Sequence, residues 1–172
     1  WPGQIDKKKN GAKIIISSVE TGKNIIKLPK KDFSLVYPYL CANFYKKKPE
    51  NVIAITGTNG KTSVTDFCCQ IWNFVGWNSA SIGTLGIKKT TDEYRYSIDD
   101  NLTTSDSSEL NKELKKLNDQ GISHVALEAS SHGIFQNRLM GINFNGAIFT
   151  NLSHDHLDFH KTMDNYFLAK KR

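Results

Sequence analysis

Apolar residues follow two spacings along this chain, and the switch between them marks its elements. Val52-Ile53-Ala54-Ile55-Thr56 is a compact apolar run, as expected of a strand buried on both faces of a parallel sheet. After a glycine turn, Val64, Phe67, Cys68, Ile71, Trp72 and Val75 recur at helical spacing, and Gly76 stands where a helix C-cap belongs. A looser copy comes next. Residues 79–82 predict a second strand; Asp106 and Glu109 predict a capping-box start to a helix carrying Leu110, Leu114 and Leu117, closed by Gly121. His124-Val125-Ala126-Leu127 and Ala147-Ile148-Phe149-Thr150 predict a third and a fourth strand, each ending in a polar cluster. The alternation predicts an α/β fold with a mostly parallel sheet, flanking helices, and ligands at the carboxyl ends of the strands.

The front of the chain has a different texture. Residues 12–17 and 24–28 are short β-rich runs around Thr21-Gly22, which predicts a hairpin. Pro29, Pro38 and Pro49 interrupt the next twenty residues or so, leaving room for one short helix over residues 33–45. Residues 1–48 are therefore expected to be a small β-rich remnant of a preceding domain with its linker, and residues 49–172 a central domain truncated at its C-terminal end. The chain opens on Trp1 and closes on Lys170-Lys171-Arg172 within a run that predicts helix, so both ends are expected to continue in a longer protein.

A length of 172 residues suffices for one proper core, and two full domains would be crowded. The net charge of +6 suggests nucleic acid until it is located: residues 1–50 carry +7 and residues 51–172 carry −1. Lys7-Lys8-Lys9 and Lys46-Lys47-Lys48 lack the interleaved aromatics of a single-strand-binding surface, so we read them as solvated faces and expect no nucleic-acid partner. No window approaches the roughly 18 uninterrupted apolar residues of a membrane span. Cys41, Cys68 and Cys69 are odd in number and show no CxxC spacing, which suits reduced thiols used in packing, in a cytoplasmic protein.

Thr56-Gly57-Thr58-Asn59-Gly60-Lys61-Thr62-Ser63 carries the chemistry. Glycines between a buried strand and a helix let backbone N–H groups converge on an anion, Lys61 adds positive charge, and the Thr62 hydroxyl can reach a Mg²⁺ that bridges phosphates. Gly57, Thr58, Asn59, Gly60, Lys61, Thr62 and Ser63 are the expected ATP contacts. The common GxxxxGK[ST] template is missed, because Ile55 stands five residues before Gly60 and the first glycine is Gly57. Glu128 ends the third predicted strand and Asp155-His156 comes after the fourth, so a parallel sheet brings a carboxylate and an imidazole toward this loop. His154-x-His156-x-Asp158-x-His160 invites a zinc-hydrolase reading, but Phe159 stands where the last histidine of that signature belongs.

TGTNGKT after a buried strand resembles the phosphate loop of the Mur ligases and their folylpolyglutamate synthetase relatives. Thr103-Thr104, Glu128-Ala129-Ser130-Ser131-His132-Gly133, Gln136, Arg138, Phe149-Thr150-Asn151-Leu152-Ser153, Asp155-His156-Leu157-Asp158-Phe159-His160, and Tyr166 with Lys170 resemble the MurE type of that family in order and spacing, over roughly residues 50–172. The resemblance implies an ATP-dependent ligase that joins a free amino acid to UDP-MurNAc-L-Ala-D-Glu through an acyl phosphate. It implies Lys61, Glu128, His156 and Lys170 as catalytic residues, with Thr62, Glu128, His156 and a carbamylated Lys170 holding Mg²⁺. It assigns Thr103, Thr104, Ser130, Gln136 and Arg138 to the UDP-muramoyl dipeptide. Leu102 stands where many relatives have Asn, a contact that Asn101 is expected to supply, and His154 stands where the family has Arg. Two other readings stay open: a folylpolyglutamate synthetase-like ligase, and a P-loop nucleotide-binding module without catalysis.

Overall fold

A computed structural model of the chain describes residues 15–19, 22–89, 95–96 and 102–172; for 95–96 only the backbone is described. The expectation for Asn101, the triple lysine at 7–9 and the first half of the 12–17 run lie outside the described residues.

Parallel and antiparallel pairings together build one six-stranded sheet. We number the strands β1 (Ile15–Ser17), β2 (Ile25–Lys27), β3 (Asn51–Thr56), β4 (Ser79–Gly83), β5 (Gly86–Lys89), β6 (Arg95–Tyr96), β7 (His124–Glu128) and β8 (Gly146–Phe149). The large sheet runs β6-β5-β4-β7-β3-β8. β4, β7, β3 and β8 pair in parallel, while β5 and β6 add antiparallel at one edge. All four strands read from the apolar pattern are present. The β5–β6 edge was missed, because short strands leave no periodic signal of useful length.

The helices are α1 (Lys30–Phe44), α2 (Lys61–Phe74), α3 (Ser107–Asp119), α4 (Ser131–Phe135), α5 (Leu157–His160) and α6 (Met163–Lys171). Pro38 sits inside α1 rather than ending it. α2 and α3 both stop in the same way. Gly76 N–H bonds the Asn73 carbonyl and Trp77 N–H the Trp72 carbonyl; Gly121 N–H bonds Asn118 and Ile122 N–H bonds Leu117. Both glycines are left-handed, with φ of 83° and 79°, which is why glycine stands there. Half of the expected capping box forms: Asp106 accepts from Ser108 N–H at 2.9 Å, while Glu109 pairs with Lys112.

Alternate residues of the strands feed two apolar layers. Val52, Val125, Leu127, Ala80 and Ile82 pack on Leu110, Leu114 and Leu117 of α3, and Ile55 and Ala126 pack on Cys69 of α2. Burial on both faces explains why β3 and β7 read as unbroken apolar runs. Cys41, Cys68 and Cys69 are free thiols, two of them buried.

The hairpin expectation is wrong. β1 and β2 pair in parallel, Ile15 with Ile25 through Ser17 with Lys27. The turn lies just before β2 instead of midway: Ile25 N–H bonds Gly22 O, Ile15 N–H bonds Asn24 O, and Asn24 is left-handed at φ 67°. Three-residue strands are only about 10 Å long, so a short loop can carry the chain back to run the same way, without the usual long crossover. The described part of the front segment also contacts the rest. α1 packs on α3, the Tyr37 hydroxyl donates to Asp106 at 2.8 Å, and a Cβ on Gly141 would lie 2.7 Å from Ala42.

Candidate functional site

The polar ends of β3, β7 and β8 meet at one rim of the sheet. β3 delivers its chain into the 57–60 loop, which is pinned from β8's extension. Thr58 N–H donates to Asn151 O at 3.0 Å, Asn59 N–H to Asn151 Oδ1 at 3.0 Å, and the Thr150 hydroxyl to Asn59 O at 2.7 Å. Gly60 is left-handed at φ 81° and caps α2 with no side-chain hydrogen bond, so the helix presents its opening N–H groups without a competing cap. Thr58 is tied inward: its hydroxyl accepts from Ser153 N–H at 3.0 Å and lies 3.2 Å from the buried Tyr166 hydroxyl.

Lys61 folds over the loop, its ammonium donating to Gly57 O at 3.0 Å and Thr58 O at 2.8 Å. Desolvation pushes its pKa down, and Glu128 and Asp155 pull it back up. Lys170, 6 % exposed, reaches the same carbonyl: Nζ to Gly57 O is 2.7 Å, with the Tyr166 ring 4.6 Å away. Burial, then the neighbouring Lys61 charge, lowers its pKa to about 8, while Asp155 opposes the shift.

That depression makes stability depend on pH. The unfolded chain keeps the Lys170 proton up to about 10.5, while the folded chain releases it near 8, so between those values the unfolded state binds more protons. The contribution of Lys170 to stability, read as wild type minus the Met variant, is expected to climb across pH 8 to 10.5 by roughly 3 kcal/mol, with the penalty of the buried ammonium fully present below pH 8. Urea midpoints of wild type and Lys170→Met in CO₂-free buffer check this. The Met variant should lack the climb; equal slopes would place the proton elsewhere.

Glu128 is 2 % exposed, and its carboxylate is held by neutral donors: Thr84 N–H to Oε1 at 3.2 Å and the Thr84 hydroxyl to Oε2 at 3.2 Å. Gly83 makes room for it, since a Cβ there would stand 2.1 Å from Oε1. Thr62, Ser63 and Glu128 line one cavity of about 190 Å³ between α2 and the β4–β5 turn. A buried carboxylate with neutral donors beside a threonine hydroxyl is an oxygen donor set that suits Mg²⁺. His156 is left-handed at φ 53°, its Nε2 3.6 Å from Asp155 Oδ2 and its ring 4.9 Å from that of His132. The structure thus brings Thr62 to Glu128, and His156 to Tyr166 beside Lys170, with Lys61 near enough to feel the charges of both Glu128 and Asp155.

The histidine run does not converge as a zinc signature would. His160 is buried with Nε2 3.0 Å from the Ser131 hydroxyl, and among the described residues no three His, Cys, Asp or Glu side chains group to hold a metal.

The residues expected for the dipeptide gather around Glu128 as well. The Thr104 hydroxyl donates to Glu128 O at 2.9 Å and accepts from Ser130 N–H at 2.9 Å. Ser130 caps α4 by accepting from Gly133 N–H. Arg138 commits one nitrogen to Thr104 O at 2.6 Å and another to Gln136 Oε1 at 2.5 Å. Thr103 meets the Thr84 hydroxyl at 3.1 Å, and Leu102 is 43 % exposed. Thr84 was missed in the sequence. Its signal was modest but present: a hydroxyl in Gly83-Thr84-Leu85-Gly86, at the carboxyl end of a strand.

Comparison with known proteins fits this geometry. The profile of the Mur ligase middle domain matches residues 55–172. Curated relatives include the UDP-N-acetylmuramoyl-L-alanyl-D-glutamate–2,6-diaminopimelate ligases of Brucella melitensis, 42 % identical over 97 % of this chain and 34 % of that protein, and of Anaplasma marginale, 42 % identical over 97 % and 36 %. The ligase of the same name from Rickettsia bellii is 48 % identical over 74 % of this chain and 27 % of its own length. A solved structure of such a ligase superposes with a TM-score of 0.76 at 33 % identity, covering 95 % of this chain and 33 % of that one. The chain therefore spans about a third of the length of these relatives. Among the described residues no helix is long and apolar enough to cross a membrane. A profile match over most of the chain, and identity above 40 % along nearly all of it, lead to one assignment: the chain belongs to the Mur ligase family.

Proposed function

We propose that this chain is the ATP-binding central part of a MurE-type ligase, residues 49–172 forming that domain and residues 1–48 the end of the one before. The ligase joins an amino acid to the D-glutamyl residue of UDP-MurNAc-L-Ala-D-Glu, in the cytoplasm, where ATP is available. The relatives are named for 2,6-diaminopimelate, and we take that as the incoming amino acid. One observation carries the reading: Glu128 stands between the Thr62 cavity and the threonines assigned to the dipeptide, touching both through Thr84 and Thr104.

The reaction has two steps. The terminal carboxylate of the dipeptide attacks the γ-phosphorus of ATP, ADP leaves, and an acyl phosphate forms; the amine of the amino acid then attacks the carbonyl carbon and phosphate leaves. No side-chain nucleophile is required, because positioning and charge supply the catalysis. The loop amides and Lys61 bind the phosphates and offset the repulsion between two anions. Thr62 and Glu128 would hold Mg²⁺, with His156 and a carbamylated Lys170 as the further ligands the resemblance implies, and that ion would supply charge neutralisation on the phosphates. Lys170 has a depressed pKa, so its free amine can add CO₂ and release a proton, turning a cation into a carbamate anion.

A polypeptide of the relatives' full length that carries this chain should form amide and release phosphate from ATP, the dipeptide substrate and diaminopimelate. The 172-residue chain by itself should form none, because it spans only about a third of the relatives' length and the acyl phosphate must be shielded from water. Amide product from the short chain, read by mass spectrometry, would refute this. Phosphate binding without amide product from the full-length protein, and unchanged behaviour of Arg138→Ala, would favour a non-catalytic nucleotide-binding module.

A further inference from the structure

A single hydroxyl joins the two halves of the site. Thr84 Oγ1 lies 3.2 Å from Glu128 Oε2 and 3.1 Å from Thr103 Oγ1. A hydroxyl has one proton to give, and a carboxylate oxygen only accepts. The Thr84 hydroxyl is the donor on both contacts, so its one proton is shared between Glu128 and Thr103. The result is a three-centre arrangement in which the Thr84 proton bridges the Glu128 carboxylate and the Thr103 oxygen, the charged carboxylate being the stronger acceptor. The Thr84 amide adds a second bond to the other carboxylate oxygen at 3.2 Å. Gly83 cradles the group so closely that its orientation rests on these donors. Thr104 meanwhile holds the main-chain carbonyl of the same glutamate.

We propose that Thr84 is a positioning residue that couples the cation-holding carboxylate to the acceptor side, through the juxtaposition of its hydroxyl with Glu128 and Thr103. The proposal rests on the ligase reading. The shared Thr84 proton has one consequence for the carboxylate. Glu128 is held in one orientation toward the Thr62 cavity before any cation arrives, so binding a divalent ion needs little rearrangement.

The test compares wild type, Thr84→Val and Thr84→Ser. Val keeps the shape and the backbone amide and loses the hydroxyl; Ser restores it. Mn²⁺ binding to the 172-residue chain, followed by electron paramagnetic resonance, should weaken about tenfold in Val and return to within about threefold of wild type in Ser. In the full-length protein, the dipeptide KM and the Mg²⁺ requirement should both rise by a similar factor in Val, with a smaller change in the ATP KM. A purely structural role would move all three together, and Ser would not separate from Val.

Equal Mn²⁺ affinity in wild type and Val overturns the proposal, as does a Ser variant that folds and is not rescued. If Val fails to fold by circular dichroism, Ser against Thr84→Ala carries the same comparison. If the full-length wild type makes no amide, the ligase reading fails, and the Mn²⁺ comparison still decides whether Thr84 positions Glu128.

Discussion

Replacing Lys61 with Ala is expected to lower ATP-dependent turnover of the full-length protein by about 10³-fold, while the thermal midpoint moves by only a few degrees. The two halves of that expectation come from one geometry. Lys61 brings the loop a charge that is partly desolvated, and removing one such preorganised donor from phosphoryl- or acyl-transfer sites typically loses about 10²–10³ in rate. The loop, however, loses only the bond to Thr58 O outright with this lysine. Gly57 O keeps Lys170 Nζ at 2.7 Å when Lys61 Nζ is gone, and the loop amides at 58 and 59 remain tied to Asn151. Removing the Lys61 charge also relieves part of the pressure on Lys170, so the Lys170 pKa should rise in the variant. Phosphate-release rates with melting curves check the prediction. A variant that loses most of its stability, or one that keeps a tenth of wild-type turnover, would show that Lys61 serves the loop's architecture and not its chemistry.

How far the sequence reached can be judged from particular residues. β3 and β7 were plain because burial on both faces writes an apolar run that no polar residue interrupts, and the ends of α2 and α3 were plain because only glycine sits comfortably at φ near 80°. The 57–63 loop was legible from its neighbours in the chain, since a strand, glycines and a helix in one register describe their own geometry. Glu128 and His156 were placed near that loop by the parallel order alone, which puts strand ends at a common rim. What the sequence could not convey is which neighbours each one takes. Glu128 stands with Thr62, whereas His156 stands with Asp155 and His132.

The misses share a cause. The β1–β2 pair was read antiparallel because Thr21-Gly22 resembles a turn, yet the deciding feature was the left-handed Asn24 and a bond from Ile15 to its carbonyl, neither of which has a periodic signature. Thr84 and Ser131 carry hydrogen bonds between elements far apart in sequence, to Glu128 and to His160. A hydroxyl that joins two distant residues is invisible to any pattern confined to a window. Arg138 shows the limit from the other side. The resemblance assigned it to the dipeptide, and two of its nitrogens are engaged with Thr104 and Gln136, so any substrate contact must use the donors that are left.

Gly57→Ala is expected to destabilise the chain by roughly 2–4 kcal/mol, which for a domain of this size lowers the melting point by about 5–15 °C. Two effects combine. Gly57 has φ +146°, a conformation that L side chains rarely adopt, and a Cβ built there falls 1.9 Å from Thr150 Oγ1 and 3.1 Å from both Asn151 N and Asn151 O. Thr150 cannot yield cheaply, because its hydroxyl holds Asn59 O and its amide holds Thr56 O. Moving it releases the loop from β8's extension, so nucleotide binding should be lost along with stability. Gly60→Ala provides the contrast. Gly60 is also left-handed, at φ +81°, but a Cβ there meets nothing within 4 Å, so only backbone strain of about 1 kcal/mol applies. Thermal melts of the two variants separate crowding from conformation. If Gly57→Ala melts within a degree or two of Gly60→Ala, the close approach of the phosphate loop to Thr150 and Asn151 is not what holds that loop in place.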